Sequence, residues 1–392
     1  MKRRSLLLLL LLACGLSQDS LSTRQPDASL SLSHKKKDAS KSKLFWLQKA
    51  DEYQAPTTLP TTITMETLFG PLEITEPLLI ELVAHPVLER LKDVDQHGPA
   101  THFGKWPSWS RYDHSIGVFA LLYIYKCPLV EQVAGLLHDV SHTAFSHSAD
   151  HLFKTGNEHS YQDSIHNEYL ERMGLRPLLA RYGLTIEEIN PDRLEFTGLE
   201  QKNPILCADR IHYNFHAGLV HGHITQEQIY EMTESLHFEN GKWFFDNQEH
   251  AQKLADIALH YCEHSLAPAA NLVWHHWLCN ALRRAATLGL VNAEEIHFGT
   301  DSYILAKLEA SQDPYIREML TKCRMPLNNY CIIDDASAAD LVDYPKLRAI
   351  DPLVKLPGEA EELVLTMRNG DYQAAMEGLR EKLKAGIKVR FL

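Results

Sequence analysis

The chain has 392 residues, 45% of them hydrophobic and 23% charged, with a formal net charge of -12. That much apolar sequence supports one large or two modest globular domains and excludes an intrinsically disordered chain. The acidic balance argues against a broad nucleic-acid surface, which needs clustered Lys and Arg to displace counterions from phosphates. It leaves room for a local basic pocket that takes a small phosphorylated molecule.

Lys2, Arg3 and Arg4 precede an unbroken apolar run from Leu6 to Leu12, and Ala13, Cys14 and Gly15 follow. This order is that of a secretory signal peptide, assigned to residues 1–19, and the run is too short to span a bilayer. Leu11-Leu12-Ala13-Cys14 also resembles a bacterial lipobox with Cys14 as the lipid acceptor. The expected location is therefore outside the cytoplasm: secreted, periplasmic or lipid-anchored. The alternative is a cytoplasmic protein with a short uncleaved apolar N-terminus. Residues 20–62, dominated by Ser, Thr, Asp, Lys and Pro and carrying the basic run His34-Lys35-Lys36-Lys37, read as a flexible linker.

The other six cysteines, Cys127, Cys207, Cys262, Cys279, Cys323 and Cys331, have no CxxC spacing and sit in apolar segments, as buried free thiols do. No segment after the leader is long and apolar enough to cross a membrane.

Structured sequence is expected from residue 63, as a helical core over 63–225 and a mostly helical C-terminal region over 226–392. Leu78, Leu79, Leu82, Val83, Val87, Leu88 and Leu91 fall at helical spacing, with Pro86 placed to open a new helix. Helical patterns recur over 112–125, 129–137, 163–173, 204–220 and 373–385. Residues 235–246 read differently: Leu236, Phe238, Trp243 and Phe245 flank Asn240-Gly241, a dipeptide that favours a type I′ hairpin turn. The fold class expected is all-α, with a helical core, a helical C-terminal extension and one small β-hairpin.

Chemistry concentrates in Leu137-His138-Asp139-Val140-Ser141-His142-Thr143-Ala144-Phe145-Ser146-His147, part of a chain with 22 histidines. His138 and His142 are four apart, so a helix would set both on one face. An apolar run, Val133 to Leu137, leads straight into this polar cluster, and burying such groups is unfavourable unless they bind something or one another. Imidazole and carboxylate together suit a borderline divalent metal: Zn, Fe, Mn, Ni or Co, with Mg less favoured as the His content rises. His114, in Arg111-Tyr112-Asp113-His114, and Asp209, in Cys207-Ala208-Asp209-Arg210, are candidates for the remaining ligands.

Together, His114, the His138-Asp139 pair and Asp209 resemble the H…HD…D signature of the HD-domain superfamily of metal-dependent phosphohydrolases. The resemblance extends to the deoxynucleoside-triphosphate triphosphohydrolase branch through Gly70-Pro71-Leu72-Glu73-Ile74, His85-Pro86-Val87-Leu88-Glu89-Arg90-Leu91-Lys92, Asp95-Gln96-His97-Gly98 and Arg348-Ala349-Ile350-Asp351-Pro352-Leu353. It covers residues 68–220 well and the remainder loosely. It implies one divalent metal held by His114, His138, Asp139 and Asp209. It further implies a phosphate site lined by His142 and His147, a phosphate-contacting Arg111, and sugar contacts from Gln96 and Tyr213. Where the branch has a catalytic His-Glu pair, this chain offers His159 or His166, with Gln162-Asp163 near the usual place. His97 stands where an apolar residue is usual, and Ala217 where an acid is usual.

The function expected is hydrolysis of a phosphate ester, a nucleotide among the candidates. The alternatives are a non-catalytic metal-containing binding module, or a cytoplasmic dNTP triphosphohydrolase if the leader is misread. The implied partner is a small phosphorylated substrate rather than nucleic acid, and self-association into a homo-oligomer stays open.

Overall fold

The computed structural model describes residues 45–104, 106–153 and 161–392. The leader with Cys14, the linker up to residue 44 and His159 lie outside these residues. Ser110 opens the central helix α3 (Arg111–Ile124), which follows α1 (Phe45–Glu52) and α2 (Pro77–Val83) in the chain. The Ser110 side chain accepts from the backbone N–H of Asp113 while the Asp113 carboxylate caps the Ser110 N–H, a closed capping box. Helix α4 (Leu129–Leu137) packs antiparallel on α3 after a short turn, and α6 (Ala208–Val220) lies against α3, with α7 (Gln248–Tyr261) on its outer side. Helix α5 (Tyr161–Arg172) covers the far end of the cluster-bearing loop.

The apolar faces of these helices meet in one core. Phe119, Leu121 and Leu122 of α3, Val133 and Leu136 of α4, Ile211 and Phe215 of α6 and Leu254 of α7 are fully buried in it. Each such side chain contributes roughly 1.5–3 kcal/mol by leaving water. The same core takes in Ile350 and Tyr372, so residues beyond 225 are packed into it rather than appended. A second core forms around α8 (Ala269–Thr287), where Trp274, Trp277 and Leu278 meet α10 (Pro314–Arg324) and enclose Ala144 and Phe145 of the cluster-bearing loop. Helix α9 (Asp301–Ala310) adds Ile304 and Leu308 to the second core, and α11 (Gly370–Lys384) adds Tyr372 and Met376 to the first.

The helical fold expected from the sequence is present, and the 236–245 hairpin forms as read: β3 (Leu236–Glu239) pairs antiparallel with β4 (Lys242–Phe245), with Asn240 at φ 51° and Gly241 at φ 76° in the left-handed conformation a type I′ turn needs. It is not the one β element. A second hairpin joins β1 (Ile63–Thr67) to β2 (Gly70–Ile74). β4 also pairs in parallel with β7 (Leu353–Val354), which carries β8 (Leu363–Val364), and β9 (Ile387–Phe391) lies between β5 (Tyr330–Ile332) and β6 (Leu341–Asp343). These strands are two to five residues long. Runs that short carry too little two-residue alternation to stand out in a sequence.

Two helical segments also differ from expectation, while a third divides where Pro86 predicts. Within the segment read as linker, α1 (Phe45–Glu52) is a helix that buries Leu47 and Ala50, and Lys49 pairs with Glu89 at 3.2 Å. The pattern starting at Glu76 divides into α2 (Pro77–Val83) and a short turn of helix, Pro86–Glu89, as Pro86 dictates. α6 begins at Ala208 rather than 204, with Cys207 extended before it. Among the described residues all six cysteines are free, five of them buried, and no helix is long and apolar enough to cross a membrane.

Candidate metal centre

Helix α4 ends at Leu137, so His138 and His142 do not share a helical face as their spacing suggested. His138 instead caps the helix, its Nδ1 2.7 Å from the Gly135 carbonyl oxygen. That contact assigns the proton to Nδ1 and leaves Nε2 as an acceptor. His114 projects from the first turn of α3 with Nε2 3.2 Å from His138 Nε2, and its Nδ1 lies 2.9 Å from His212 Nδ1. With His114 Nδ1 as donor, both imidazoles turn bare Nε2 lone pairs to the same point.

Two carboxylates close the group. Asp209, in the first turn of α6, places Oδ1 2.9 Å from His114 Nε2 and 3.9 Å from His138 Nε2. Asp139 places Oδ1 3.5 Å from His138 Nε2 and Oδ2 3.8 Å from His114 Nε2. Donors that each sit about 2.1 Å from one ion are separated from one another by about 3.0–3.5 Å. Ligand atoms of His114, His138 and Asp139 all lie within 4.8 Å of one another, while Asp209, which also groups with Glu200 and Cys207, stands against the two histidines. Imidazole and carboxylate donors together suit a borderline ion.

The second contact of His114 depends on close approach between helices. A Cβ on Gly117 would stand 1.9 Å from the His212 ring, so only glycine at that position admits the imidazole. His212 is a site residue that the sequence does not single out. Its position three residues after Asp209 on α6 was the available signal.

Arg111 lies one helical turn before His114 and is buried. Its Nη1 meets Asp139 Oδ2 at 2.5 Å, and its Nε donates to Ser146 Oγ at 2.7 Å. Nη2 is buried with no partner among the described residues. Burial works against a charged Asp139, but the Arg111 guanidinium and His138 hold its carboxyl well below the usual carboxylate range. His142 Nε2 stands 3.3 Å from Asp139 Oδ1, and burial, aided by Arg111, pushes its pKa down to about 4. His147 is 5.0 Å from His142 between ring centroids, its Nδ1 3.1 Å from Asp150 Oδ2, and burial lowers its pKa in the same direction.

His166 lies behind this loop. Its Nδ1 is 2.9 Å from Ser141 Oγ, which donates to Gln162 Oε1, while its Nε2 is buried and unpartnered among the described residues. Burial lowers its pKa to about 3. Neutral imidazoles are thus the resting form of His142 and His166 at pH 7.

A cleft lined by Gln96, Ser146, His147, Tyr213, Tyr261 and Arg348 opens beside the cluster-bearing loop, and neither Arg111 nor any of the four candidate ligands lines it. Gln96 and Tyr213 share this cleft with His147, and Gln96 Oε1 is buried without a partner among the described residues. His97 also faces this cleft, with Nε2 2.7 Å from the Tyr261 hydroxyl and 3.3 Å from Trp109 Nε1, and Ala217 is buried nearby. Sequence reading did not find Ser146 or Tyr261 in their roles, because both contacts join segments remote in the chain.

No family model matches the chain. It is 30% identical over 312 residues to the uncharacterized protein YdhJ of Bacillus subtilis, a match covering 78% of this chain and 94% of that protein. It is 34% identical over 169 residues to the metal-dependent phosphohydrolase cns2 of Cordyceps militaris, covering 43% of this chain and 48% of the other. It is 29% identical over 143 residues to the human deoxynucleoside triphosphate triphosphohydrolase SAMHD1, covering 31% of this chain and 23% of that protein. The fold matches the crystal structure of a phosphohydrolase from Bacteroides thetaiotaomicron with a TM-score of 0.62 over 84% of this chain and 98% of that one, at 15% identity. The chain belongs to the HD-domain superfamily of metal-dependent phosphohydrolases, as a divergent member.

Proposed function

We propose that this protein hydrolyses a phosphate ester of a small molecule, a nucleotide first among the candidates, using one divalent metal held by His114, His138, Asp139 and Asp209. The observation that carries the reading is the convergence of His114, His138 and Asp139, with Asp209 against both histidines, beside the unpartnered Arg111 Nη2. The names of cns2 and SAMHD1, which describe phosphoryl chemistry in those proteins, support it. A divalent ion in such a site supplies Lewis acidity toward a phosphoryl oxygen and a water acidified toward neutral pH.

The chain's own residues do the rest. Arg111, fixed by Asp139 and Ser146, turns Nη2 to a phosphoryl oxygen and offsets the negative charge that gathers there in the transition state. His142 and His147, neutral at pH 7, accept or return a proton beside the reacting phosphate, and His166, bonded to Ser141, stands as a further candidate for that role. Gln96 and Tyr213 hold the part of the substrate that does not react.

Purified protein loaded with Mn, Fe, Zn, Ni, Co or Mg should turn over at least one of p-nitrophenyl phosphate, bis-p-nitrophenyl phosphate, ribonucleotides and dNTPs. A chelator should abolish the activity and added metal restore it. Arg111→Ala should keep its metal and lower kcat/KM by a factor on the order of 10² to 10³, and Lys in its place should recover part of this because the planar fork is lost. Absence of bound metal, or full turnover in Arg111→Ala, would remove the proposed mechanism.

A further inference from the structure

The loop that carries His142 and His147 contains two residues in a conformation that L side chains rarely adopt: Phe145 at φ 60° and Ser146 at φ 53°. Such a conformation persists only when its surroundings over-determine it. Here the determinants come from far along the chain. Asp301, the first residue of α9 and 1% exposed, accepts from the Phe145 N–H through Oδ1 at 2.6 Å. Its Oδ2 accepts from the Asp95 N–H at 3.1 Å and meets His102 Nε2 at 2.9 Å.

The two segments held by this one carboxylate are themselves joined at the candidate site. Ser146 Oγ donates to the Asp95 carbonyl oxygen and accepts from Arg111 Nε. Gly98, at φ 53°, lets the chain pass so close to the loop that a Cβ there would stand 2.5 Å from the Phe145 carbonyl oxygen. The other end of the loop is tied to the same distant stretch. Fully buried Arg90 donates through Nη1 to the Gly299 carbonyl oxygen at 2.7 Å, and through Nη2 to the carbonyl oxygens of Val140, at 3.0 Å, and His142. Burial opposes a charged His102, yet its contact with the Asp301 carboxylate raises its pKa, while burial raises that of Asp301 in turn.

We infer that Asp301 is a positioning residue for the candidate site: it clamps the 143–147 loop to the Asp95 segment and so fixes the Ser146 hydroxyl that orients Arg111. The clamp stands on geometry alone. Its consequence for phosphate binding rests on the reading of Arg111 under Proposed function.

Hydrogen–deuterium exchange of the manganese-loaded full chain tests the clamp. Asp301→Asn keeps the side-chain size but leaves one acceptor oxygen for three donors. A buried truncation in the same helix, Ile304→Ala, serves as the control for general loss of stability. Peptides covering 143–147 should exchange roughly tenfold faster in Asp301→Asn than in Ile304→Ala, because local opening is set by the contacts of the segment itself. Rates within twofold of each other in the two variants would overturn the proposal. If Asp301→Asn does not fold, His102→Ala, which leaves the carboxylate without its imidazole partner, should speed exchange in the same peptides. Protection equal to the unmodified protein there would also overturn it.

Affinity for inorganic phosphate gives the second readout and should fall about tenfold in Asp301→Asn, with bound manganese unchanged. An unchanged affinity beside a loosened loop would overturn the link to Arg111. If the unmodified protein binds no phosphate, the earlier functional reading fails while the exchange result still decides the clamp.

Discussion

Two clusters of buried polar side chains lie within a few residues of each other in this molecule, and they are built on opposite terms. In the cluster of Asp95, His102 and Asp301 every acceptor meets a donor. Asp95 Oδ1 accepts from Thr101 Oγ1 at 2.7 Å and the His97 N–H at 2.8 Å, and its Oδ2 accepts from Ser108 Oγ at 2.7 Å. Asp301 is satisfied in the same way. In the cluster of His114, His138, Asp139 and Asp209 two imidazole lone pairs face each other at 3.2 Å, with carboxylate oxygens on either side. Acceptors facing acceptors in a buried place lack a positive centre. A closed polar cluster is scaffold; an open one is a site.

Variants that disturb each cluster sharpen this contrast. The largest effect is expected at Asp139. Asp139→Ala removes an anionic donor and strands the buried Arg111 guanidinium, so metal content by elemental analysis should fall to background and turnover to that of metal-free protein. Full retention of metal would break the assignment of the open cluster. A smaller effect is expected from Gly117→Ala, whose methyl would displace His212 and with it the hydrogen bond that orients His114. Metal affinity, measured by competition with a chelator, should weaken about 10- to 100-fold. An unchanged affinity would show that His212 does not orient the site.

The smallest effect is expected in the closed cluster. Thr101→Val deletes one of the donors to Asp95 and should lower unfolding stability by about 1.5 kcal/mol, read from denaturant midpoints, with metal content unchanged. Loss of metal in that variant would erase the distinction between the two clusters.

The sequence makes the open cluster legible and hides the closed one, for a physical reason. His138-Asp139 follows an apolar helix directly, and Arg111 and His114 sit three apart on the first turn of another helix, so local periodicity brings them to a common place. The helical frame follows from the same periodicity over 111–124, 129–137 and 370–384. Asp301 has no such mark. It reads as an ordinary acidic residue at a helix start, and its importance lies in partners 156 and 206 residues away. The short strands at 63–74 and at the C-terminus were missed on similar grounds, since β5, β6 and β9 are held by pairing across 40 residues or more rather than by their own alternation. Helix α4 ends at Leu137, as its pattern over 129–137 indicates, and the shared helical face suggested by the spacing of His138 and His142 was the part misjudged. The side chain of His138 bonding back to Gly135 ends the helix there.

The long reach of the Asp301 clamp has a consequence for the order in which the protein is made. The four proposed metal ligands are complete once residue 209 has been synthesised, but the carboxylate that holds Phe145 in its left-handed conformation follows Phe145 by 156 residues. At ordinary elongation rates that is a delay on the order of ten seconds. Over the stretch from residue 209 to residue 299 the nascent chain carries every proposed ligand while the loop bearing His142 and His147 has neither of its downstream ties, to Gly299 and to Asp301. Ribosome-bound chains stopped before residue 299 are thus expected to hold the ligands without the finished site, and release of the C-terminal half is the event that sets Arg111 in place.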